Sequence, residues 1–84
     1  MFRLLITRRA QKDFNSLAPK IAGQVRRKIE QLTENPRPQD VKRVRGVPGL
    51  LRVDSGEYRI LYEVDDAQER VVVVRIRHRR EAYR

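Results

Sequence analysis

The sequence predicts an α+β domain in which an N-terminal helical hairpin packs on one face of an antiparallel β-sheet. Apolar residues alternate with polar ones near the N-terminus, recur every three or four residues up to about residue 35, and alternate again after residue 50. The resulting order, β-α-α-β-β-β, places both helices before most of the strands, as in α+β proteins. At 84 residues the chain has the length of one domain, which we expect to span residues 1–84.

The N-terminal part is predicted to form one strand and the helical hairpin. Residues 2–6 alternate as a strand does, and the Thr7 hydroxyl can cap the helix that follows by accepting a backbone N–H. We expect this first helix from about residue 8 to residue 18, because its apolar residues recur at steps of four and three. Pro19 suits the first turn of a second helix. That helix ends before Pro36, since a residue that precedes proline is pushed out of helical conformation.

The remainder is predicted to contain a loop-rich connection and three strands. Proline and glycine are concentrated between residues 36 and 49. Strands are expected at residues 50–54 and 58–64, joined by a turn at Ser55-Gly56, and residues 65–69 read as a hairpin loop. Four consecutive valines at residues 71–74 suit a central strand covered on both faces. A short basic tail follows from residue 78.

Positive charge is the strongest chemical signal in the sequence. Twenty Lys and Arg residues oppose eleven Asp and Glu, which gives a net charge of +9, and sixteen of the cations are arginine. The planar guanidinium suits phosphate, so this charge on a small domain is typical of a nucleic-acid binder, the alternative being a well-solvated basic surface. The cations are densest at residues 42–45 and 75–80. If the fold brings these two runs together, they form a phosphate-binding cleft.

Composition also excludes several classes of protein. Without cysteine the chain has no disulfides and no thiolate metal site, and one histidine cannot build a structural zinc site. No apolar run approaches the roughly 20 residues of a membrane span, and residues 2–6 are too few for a signal peptide. We therefore expect a cytoplasmic protein with no membrane partner. No nucleophile motif or glycine-rich phosphate loop is present, so no metal or other cofactor is expected.

A set of cations can nevertheless support RNA cleavage. The reaction needs an activated 2′-hydroxyl, stabilisation of the negative charge on the phosphorane, and a proton for the leaving 5′-oxygen. Preorganised arginines meet the second need. His78 is a candidate for proton transfer, because histidine is the side chain whose charge changes near neutral pH.

Several motifs resemble the RelE toxin family of the wider RelE/ParE superfamily. They are Lys-Arg-Val-Arg-Gly-Val-Pro-Gly at residues 42–49, Tyr-Arg-x-x-Tyr at residues 58–62, and a His-Arg-Arg tail that ends near Tyr83. The stretch from Thr7 to Leu17 also fits, so the likeness covers nearly the whole chain. The resemblance implies a RelE-like fold and a type II toxin that cleaves messenger RNA on the ribosome, without a metal, and so inhibits translation. It also implies three partners: a RelB-like acidic antitoxin, the ribosome and mRNA.

The resemblance further implies roles for individual residues. Arg59 matches the family's phosphate-binding arginine, Arg79 the arginine of transition-state or leaving-group stabilisation, and Tyr83 the tyrosine that orients or stacks on the substrate. The expected catalytic residues are Arg52, Arg59, His78, Arg79 and Tyr83. The expected RNA- or ribosome-binding residues are Lys42, Arg43, Arg45, Arg77 and Arg80.

Two alternatives stay open at this stage. Asp54 stands where known members have a lysine proposed as the general base, so the proton acceptor is His78, Asp54 or the ribosome's own RNA. The second function is a ParE-like protein that inhibits DNA gyrase by binding and cleaves nothing, and a third possibility is a degenerate member that survives only as a binding module. The pairing of Arg59 with Arg79 and Tyr83 favours the ribonuclease. Codon preference, antitoxin stoichiometry and action on free RNA are not determined by the sequence.

Overall fold

Two helices lie against one face of a five-stranded β-sheet in the computed structural model, which describes residues 1–81. The predicted α+β class and the relative order of the six predicted elements are confirmed. The elements are β1 (Arg3–Ile6), α1 (Arg8–Asn15), α2 (Pro19–Glu34), β2 (Lys42–Arg43), β3 (Leu51–Ser55), β4 (Tyr58–Asp65) and β5 (Arg70–His78). The strands are arranged in the order β1-β5-β4-β3-β2.

The sheet differs from the sequence prediction in two ways. First, β1 pairs with β5 in parallel, whereas the other three pairings are antiparallel as expected. Alternation shows which residues share a face of a strand but not which strand lies beside it, so the direction of this pairing was not accessible. Second, the predicted loop contains the short strand β2, whose Lys42 lies opposite Arg52 of β3. Two charged residues are too short a segment to give a periodic signal.

The ends of the helices follow from the side chains expected there. The Ala10 backbone N–H donates to the Thr7 hydroxyl oxygen at 3.2 Å, so Thr7 caps α1 as predicted. The same hydroxyl donates to the carbonyl of Val74 at 3.1 Å, which ties the start of α1 to β5. Helix α1 ends at Asn15, three residues before the expected end, and α2 begins at Pro19. Neither helix is long and apolar enough to span a lipid bilayer within residues 1–81.

The hydrophobic core lies between α2 and the sheet. Helix α2 contributes Val25, Ile29 and Leu32, which are spaced along one helix face and are at most 3% exposed. Its partners come from α1 and from the inner face of three strands: Ala10, Val53, Ile60, Tyr62, Val71, Val73 and Ile76. The prediction that the valine run is covered on both faces is wrong. The residues between and after the buried valines are half-buried, because the helices cover only one side of β5.

Tyr62 is the largest fully buried side chain. Its hydroxyl donates to the buried Pro36 carbonyl at 2.7 Å and so joins β4 to the segment after α2. Burial raises the pKa of Tyr62 to about 12. Tyr62 therefore serves packing in the core and a buried hydrogen bond.

We expect Tyr62→Phe to lower the free energy of unfolding by about 1–3 kcal/mol, because the Pro36 carbonyl loses its buried donor. Urea denaturation measures the change, with Tyr58→Phe at a half-buried ring as control. The raised pKa makes the neutral phenol stabilising below pH 10, and this contribution is lost as the pH rises through 12. Tyr62→Phe should therefore lose less stability than wild type in that range. If Tyr62→Phe is as stable as wild type, the hydrogen bond from the Tyr62 hydroxyl to the Pro36 carbonyl does not stabilise the fold.

Candidate nucleic-acid interface

The sheet face opposite α2 carries arginines at matched positions of neighbouring strands. Residues directly opposite each other in an antiparallel pair point to the same side of the sheet. Arg59 on β4 lies opposite Arg77 on β5 and opposite Asp54 on β3. The adjacent residues Ile60 and Ile76 are buried toward α2. Because side chains alternate along a strand, the row that contains Arg59 points away from the helices.

A second row extends this face toward the edge of the sheet. Arg52 on β3 lies opposite Leu61 on β4 and opposite Lys42 on β2. We use the term arginine face for five charged residues of the two rows, which are Lys42, Arg52, Asp54, Arg59 and Arg77. Arg75, opposite Leu61 in the second row, is excluded because it pairs with Asp13 of α1. The structure thus brings together four of the predicted site residues, together with the aspartate that departs from the family pattern.

Arg59 occupies the centre of the arginine face and is largely shielded from water. Its side chain is only 16% exposed, and its Nε lies 3.5 Å from Oδ1 of Asp54, which is 59% exposed. A guanidinium shielded from water attracts an anion more strongly than a fully solvated one, because the local dielectric constant is lower. The site therefore offers one firmly positioned positive charge beside a solvent-exposed carboxylate.

Arg79 follows the end of β5 and continues the ladder beside the β3–β4 turn. Its backbone N–H donates to the Glu57 carbonyl at 2.8 Å, and its Nε lies 3.0 Å from Oε2 of Glu57. Two residues of extended chain place Arg79 about 7 Å from Arg77 along the strand direction. Arg77 itself pairs with Glu81 at 3.9 Å. Arg79 therefore lies at the end of the arginine face, with its side chain in an exposed ion pair.

His78 does not share the arginine face. It lies opposite Tyr58, and the two rings meet edge-on with centroids 5.3 Å apart. Tyr58 packs against the hydrophobic core, so this pair lies on the helix side of the sheet. The His78 Nδ1 also accepts the Arg80 backbone N–H at 3.2 Å. These contacts suit a side chain that holds the end of β5, and they separate His78 from Arg59 by the thickness of the sheet.

The remaining predicted residues lie around the arginine face. Arg43 is opposite Leu51, Arg45 lies in the exposed loop after β2, and Arg80 is exposed after β5. The two basic runs therefore belong to one sheet but do not meet, since β3 and β4 separate β2 from β5 by about 14 Å. Tyr83 lies outside the described residues.

An apolar groove of about 760 Å³ opens beside β2 and β3. It is lined by the loop at residues 44 and 46–50, by Val41, Leu51 and Val64, and by the cations Arg37, Lys42 and Arg43. Val41, Leu51 and Val64 also pack against the core, so the groove adjoins the helix side of the sheet. Within residues 1–81, no group of three or more acidic or histidine side chains is arranged to hold a metal ion.

A β-bulge in β5, absent from the sequence prediction, sets the direction of its arginines. Leu61 pairs with Arg75 but Tyr62 pairs with Val73, so Val74 is an extra residue. As a result Val73 and Ile76, three positions apart, both face the core. Beyond the bulge the chain resumes normal alternation, which places its next arginine opposite Arg59.

Asp13 of α1 holds the strand immediately after this bulge. Its Oδ2 accepts the Ile76 backbone N–H at 2.9 Å and the Arg75 Nε at 2.8 Å. The hydrogen bond and charge of Asp13 raise the pKa of Arg75 above its ordinary value. Asp13 and Ile76 are 63 residues apart in the chain. No local pattern connects residues so distant, so this contact was missed.

The chain matches the family model of the ParE toxin of the type II toxin-antitoxin system, parDE, over residues 4–83. It is also 36% identical over 85 residues to the putative toxin RelE1 of Methanocaldococcus jannaschii, covering 95% of this chain and 91% of that protein. The chain belongs to the RelE/ParE family of type II toxins.

Two further comparisons support this membership. Toxin RelG of Mycobacterium tuberculosis is 31% identical to this RelE/ParE toxin over 84 residues, which cover 99% of this chain and 97% of RelG. In the crystal structure of the toxin–antitoxin complex RelBE2 from Mycobacterium tuberculosis, one chain matches with a TM-score of 0.82 and 29% identity. That match covers 92% of this chain and 96% of the other. The expected RelE-like fold is confirmed.

We expect Asp13→Ala to lower the free energy of unfolding of this RelE/ParE toxin by about 2–3 kcal/mol, because the Ile76 N–H and the Arg75 guanidinium lose a shared, half-buried acceptor. Thermal and urea denaturation measure the loss. Asp66→Asn is the control, since it breaks an exposed two-bond pair with Arg37 and should change stability far less. Equal effects of the two substitutions would mean that Asp13 does not secure the bulge.

Proposed function

We propose that this RelE/ParE toxin cleaves messenger RNA on the ribosome, without a metal, and that the arginine face binds the RNA phosphates. The observation that carries the proposal is the row formed by Arg59 and Arg77 on adjacent central strands. The Arg59 guanidinium, at the centre of the arginine face, is held within the sheet and is only 16% exposed. Arginine in such a place supplies the charge stabilisation that phosphodiester cleavage requires.

The chemistry follows from what arginine can and cannot do. The 2′-oxygen attacks phosphorus and loses its proton, the bond from phosphorus to the 5′-oxygen breaks, and that oxygen gains a proton. An arginine guanidinium stays charged at every physiological pH and is therefore a poor base. In the proposal, Arg59 and Arg77 hold the phosphate and its developing charge, Arg52 neutralises the adjacent backbone, and Arg79 lies toward the leaving oxygen. Tyr83 is proposed to stack on the substrate base.

We propose that the proton acceptor comes from the ribosome's RNA. His78 lies on the helix side of the sheet, where it contacts Tyr58. Asp54 shares the arginine face, but its exposed carboxylate repels the phosphate that approaches Arg59. We assign His78 to the positioning of β5. The outer cations Lys42, Arg43, Arg45 and Arg80 are proposed to contact the RNA or the ribosome by charge.

The proposed partner in regulation is a RelB-like acidic antitoxin. RelBE2 of Mycobacterium tuberculosis, a relative of known structure, was solved as a toxin–antitoxin complex. A net charge of +9 favours an acidic segment that folds on contact and covers the arginine face. Since the proposed substrate is mRNA on ribosomes, the proposed location is the cytoplasm.

A ParE-like inhibitor of DNA gyrase is the second candidate, because the matching family model is that of the ParE toxin. Such a protein binds its target and breaks no RNA. Both candidate functions are compatible with the same fold and a basic surface. They are distinguished by whether protein synthesis or DNA synthesis stops first after the toxin is induced.

We expect that inducing the toxin without its antitoxin stops protein synthesis before DNA synthesis. Pulse labelling with an amino acid and with thymidine measures the order, and primer extension should reveal new 5′ ends within translated codons. Intact messages, together with an early DNA-damage response, would favour the gyrase inhibitor. A frameshifted reading frame controls for the burden of induction.

We expect Arg59→Ala and Arg79→Ala each to slow cleavage of ribosome-bound mRNA by about 10²-fold, a loss of roughly 3 kcal/mol of transition-state stabilisation. Single-turnover cleavage on purified ribosomes measures the rate. Arg37→Ala is the matched control, because it removes an exposed arginine that pairs with Asp66, away from the arginine face.

His78→Gln completes this series. With its ring on the helix side, we expect a near-wild-type cleavage rate and an unchanged pH–rate profile. A collapse of the rate and the disappearance of the acidic limb of the profile in a folded variant would make His78 the base. If Arg59→Ala and Arg37→Ala slow cleavage equally, the arginine face takes no part in the reaction.

A further inference from the structure

We propose that Asp54 and Glu57 act as internal substitutes for RNA phosphate: each holds one site arginine and must be displaced when RNA binds. The inference rests on the proposed function and names two positioning residues of the same site. Its consequence is that these acids lower the affinity of the toxin for RNA while they keep the arginines oriented.

The two acids belong to one β-hairpin. Asp54 lies on β3 directly opposite Arg59, with 3.5 Å between carboxylate and guanidinium, and Glu57 lies in the β3–β4 turn, 3.0 Å from the Arg79 Nε. The turn is built on Gly56, whose φ of 60° is the left-handed conformation that glycine adopts without strain. A short hairpin therefore presents two carboxylates to the two arginines that the proposed mechanism uses most.

Carboxylate and phosphate compete for the same donors. A guanidinium offers N–H groups in a planar fork that fits the oxygens of either anion. Asp54 and Glu57 are 59% and 61% exposed. The Glu57–Arg79 pair is exposed on both sides and contributes little net stability, because water and salt compensate most of the attraction. Arg59 is only 16% exposed, but an incoming phosphate supplies the negative charge that Asp54 gives up beside it. Phosphate can therefore replace either carboxylate without unfolding the hairpin.

The half-buried pair between Asp13 of α1 and Arg75 of β5 is the contrasting case. Asp13 is 18% exposed and also accepts the Ile76 backbone N–H. Displacing Asp13 would leave a half-buried backbone donor unsatisfied, which is costly. The ion pair of Arg75 on β5 therefore stabilises the fold. The ion pairs made by Asp54 and Glu57 can instead be replaced by contacts with RNA phosphate.

Displacement predicts a specific salt dependence. When phosphate replaces a carboxylate, the displaced carboxylate attracts a cation from solution. This uptake offsets part of the counterion release that accompanies RNA binding. A variant without the carboxylate takes up no such cation, so its RNA binding releases more counterions in total. For single-stranded RNA, one further effective phosphate contact steepens the slope of log K against log salt by about 0.7.

The test is binding of a fully 2′-O-methylated single-stranded RNA, which lacks the attacking hydroxyl, to the full chain and its variants across a series of salt concentrations. We expect Asp54→Asn and Glu57→Gln each to tighten binding by about tenfold at low salt and to steepen the slope by up to about 0.7. Asp66→Asn is the matched control, with the same charge change at an exposed pair away from the arginine face. It should tighten binding less than about threefold and leave the slope unchanged.

Two results separate failure of the inference from failure of the proposed function. If Arg59→Ala weakens RNA binding but Asp54→Asn matches Asp66→Asn in affinity and slope, the arginine face stands and the substitute role is overturned. If Arg59→Ala binds RNA as wild type does, the arginine face is not the RNA site and the proposed function is overturned. Thermal unfolding of each variant confirms that the hairpin is intact, as expected for near-isosteric changes at exposed positions.

Discussion

The contact between Asp13 and β5 is the constraint on which the rest of the structure depends. Strand β5 is the most connected element, since it pairs with β1 and β4 and packs against both helices. After the bulge it can continue only if the Ile76 N–H finds an acceptor, and Asp13 supplies one from α1. Together with the Thr7 hydroxyl, which donates to the Val74 carbonyl, this carboxylate joins α1 to β5. It also allows Ile76 to enter the core, so that Arg77 faces outward beside Arg59.

The sheet separates two chemical environments. On one side α2 buries an apolar layer that includes Tyr62, whose hydroxyl is satisfied by the Pro36 carbonyl. On the other side, arginines from three neighbouring strands share one face, an arrangement that costs electrostatic free energy. Carboxylates next to the cations offset this cost, as at Arg59 and Asp54. The acids therefore let a toxin of the RelE/ParE family concentrate arginines on one face.

Much of the fold was accessible from the sequence, and less of the site. The cap at Thr7 and the second helix from Pro19 were predicted, because each follows from local residue chemistry or spacing. The bulge at Val74 and the contact made by Asp13 were not, because they join segments far apart in the chain. His78 is next to Arg79 in the sequence, but consecutive residues of a strand point to opposite faces of the sheet. The side chains of these two residues therefore lie on different faces.

The sequence by itself determined the class of fold, the order of the main elements, the strong positive charge and the membership of a toxin family. These properties reside in composition and short-range periodicity, which tertiary contacts leave unchanged. Only the tertiary structure decided that β1 lies parallel to β5, that Arg52, Arg59 and Arg77 share one face, and that Asp54 and Glu57 hold their arginines. Such relations depend on strand neighbours and register, and a one-residue bulge is enough to reverse the face on which a side chain lies.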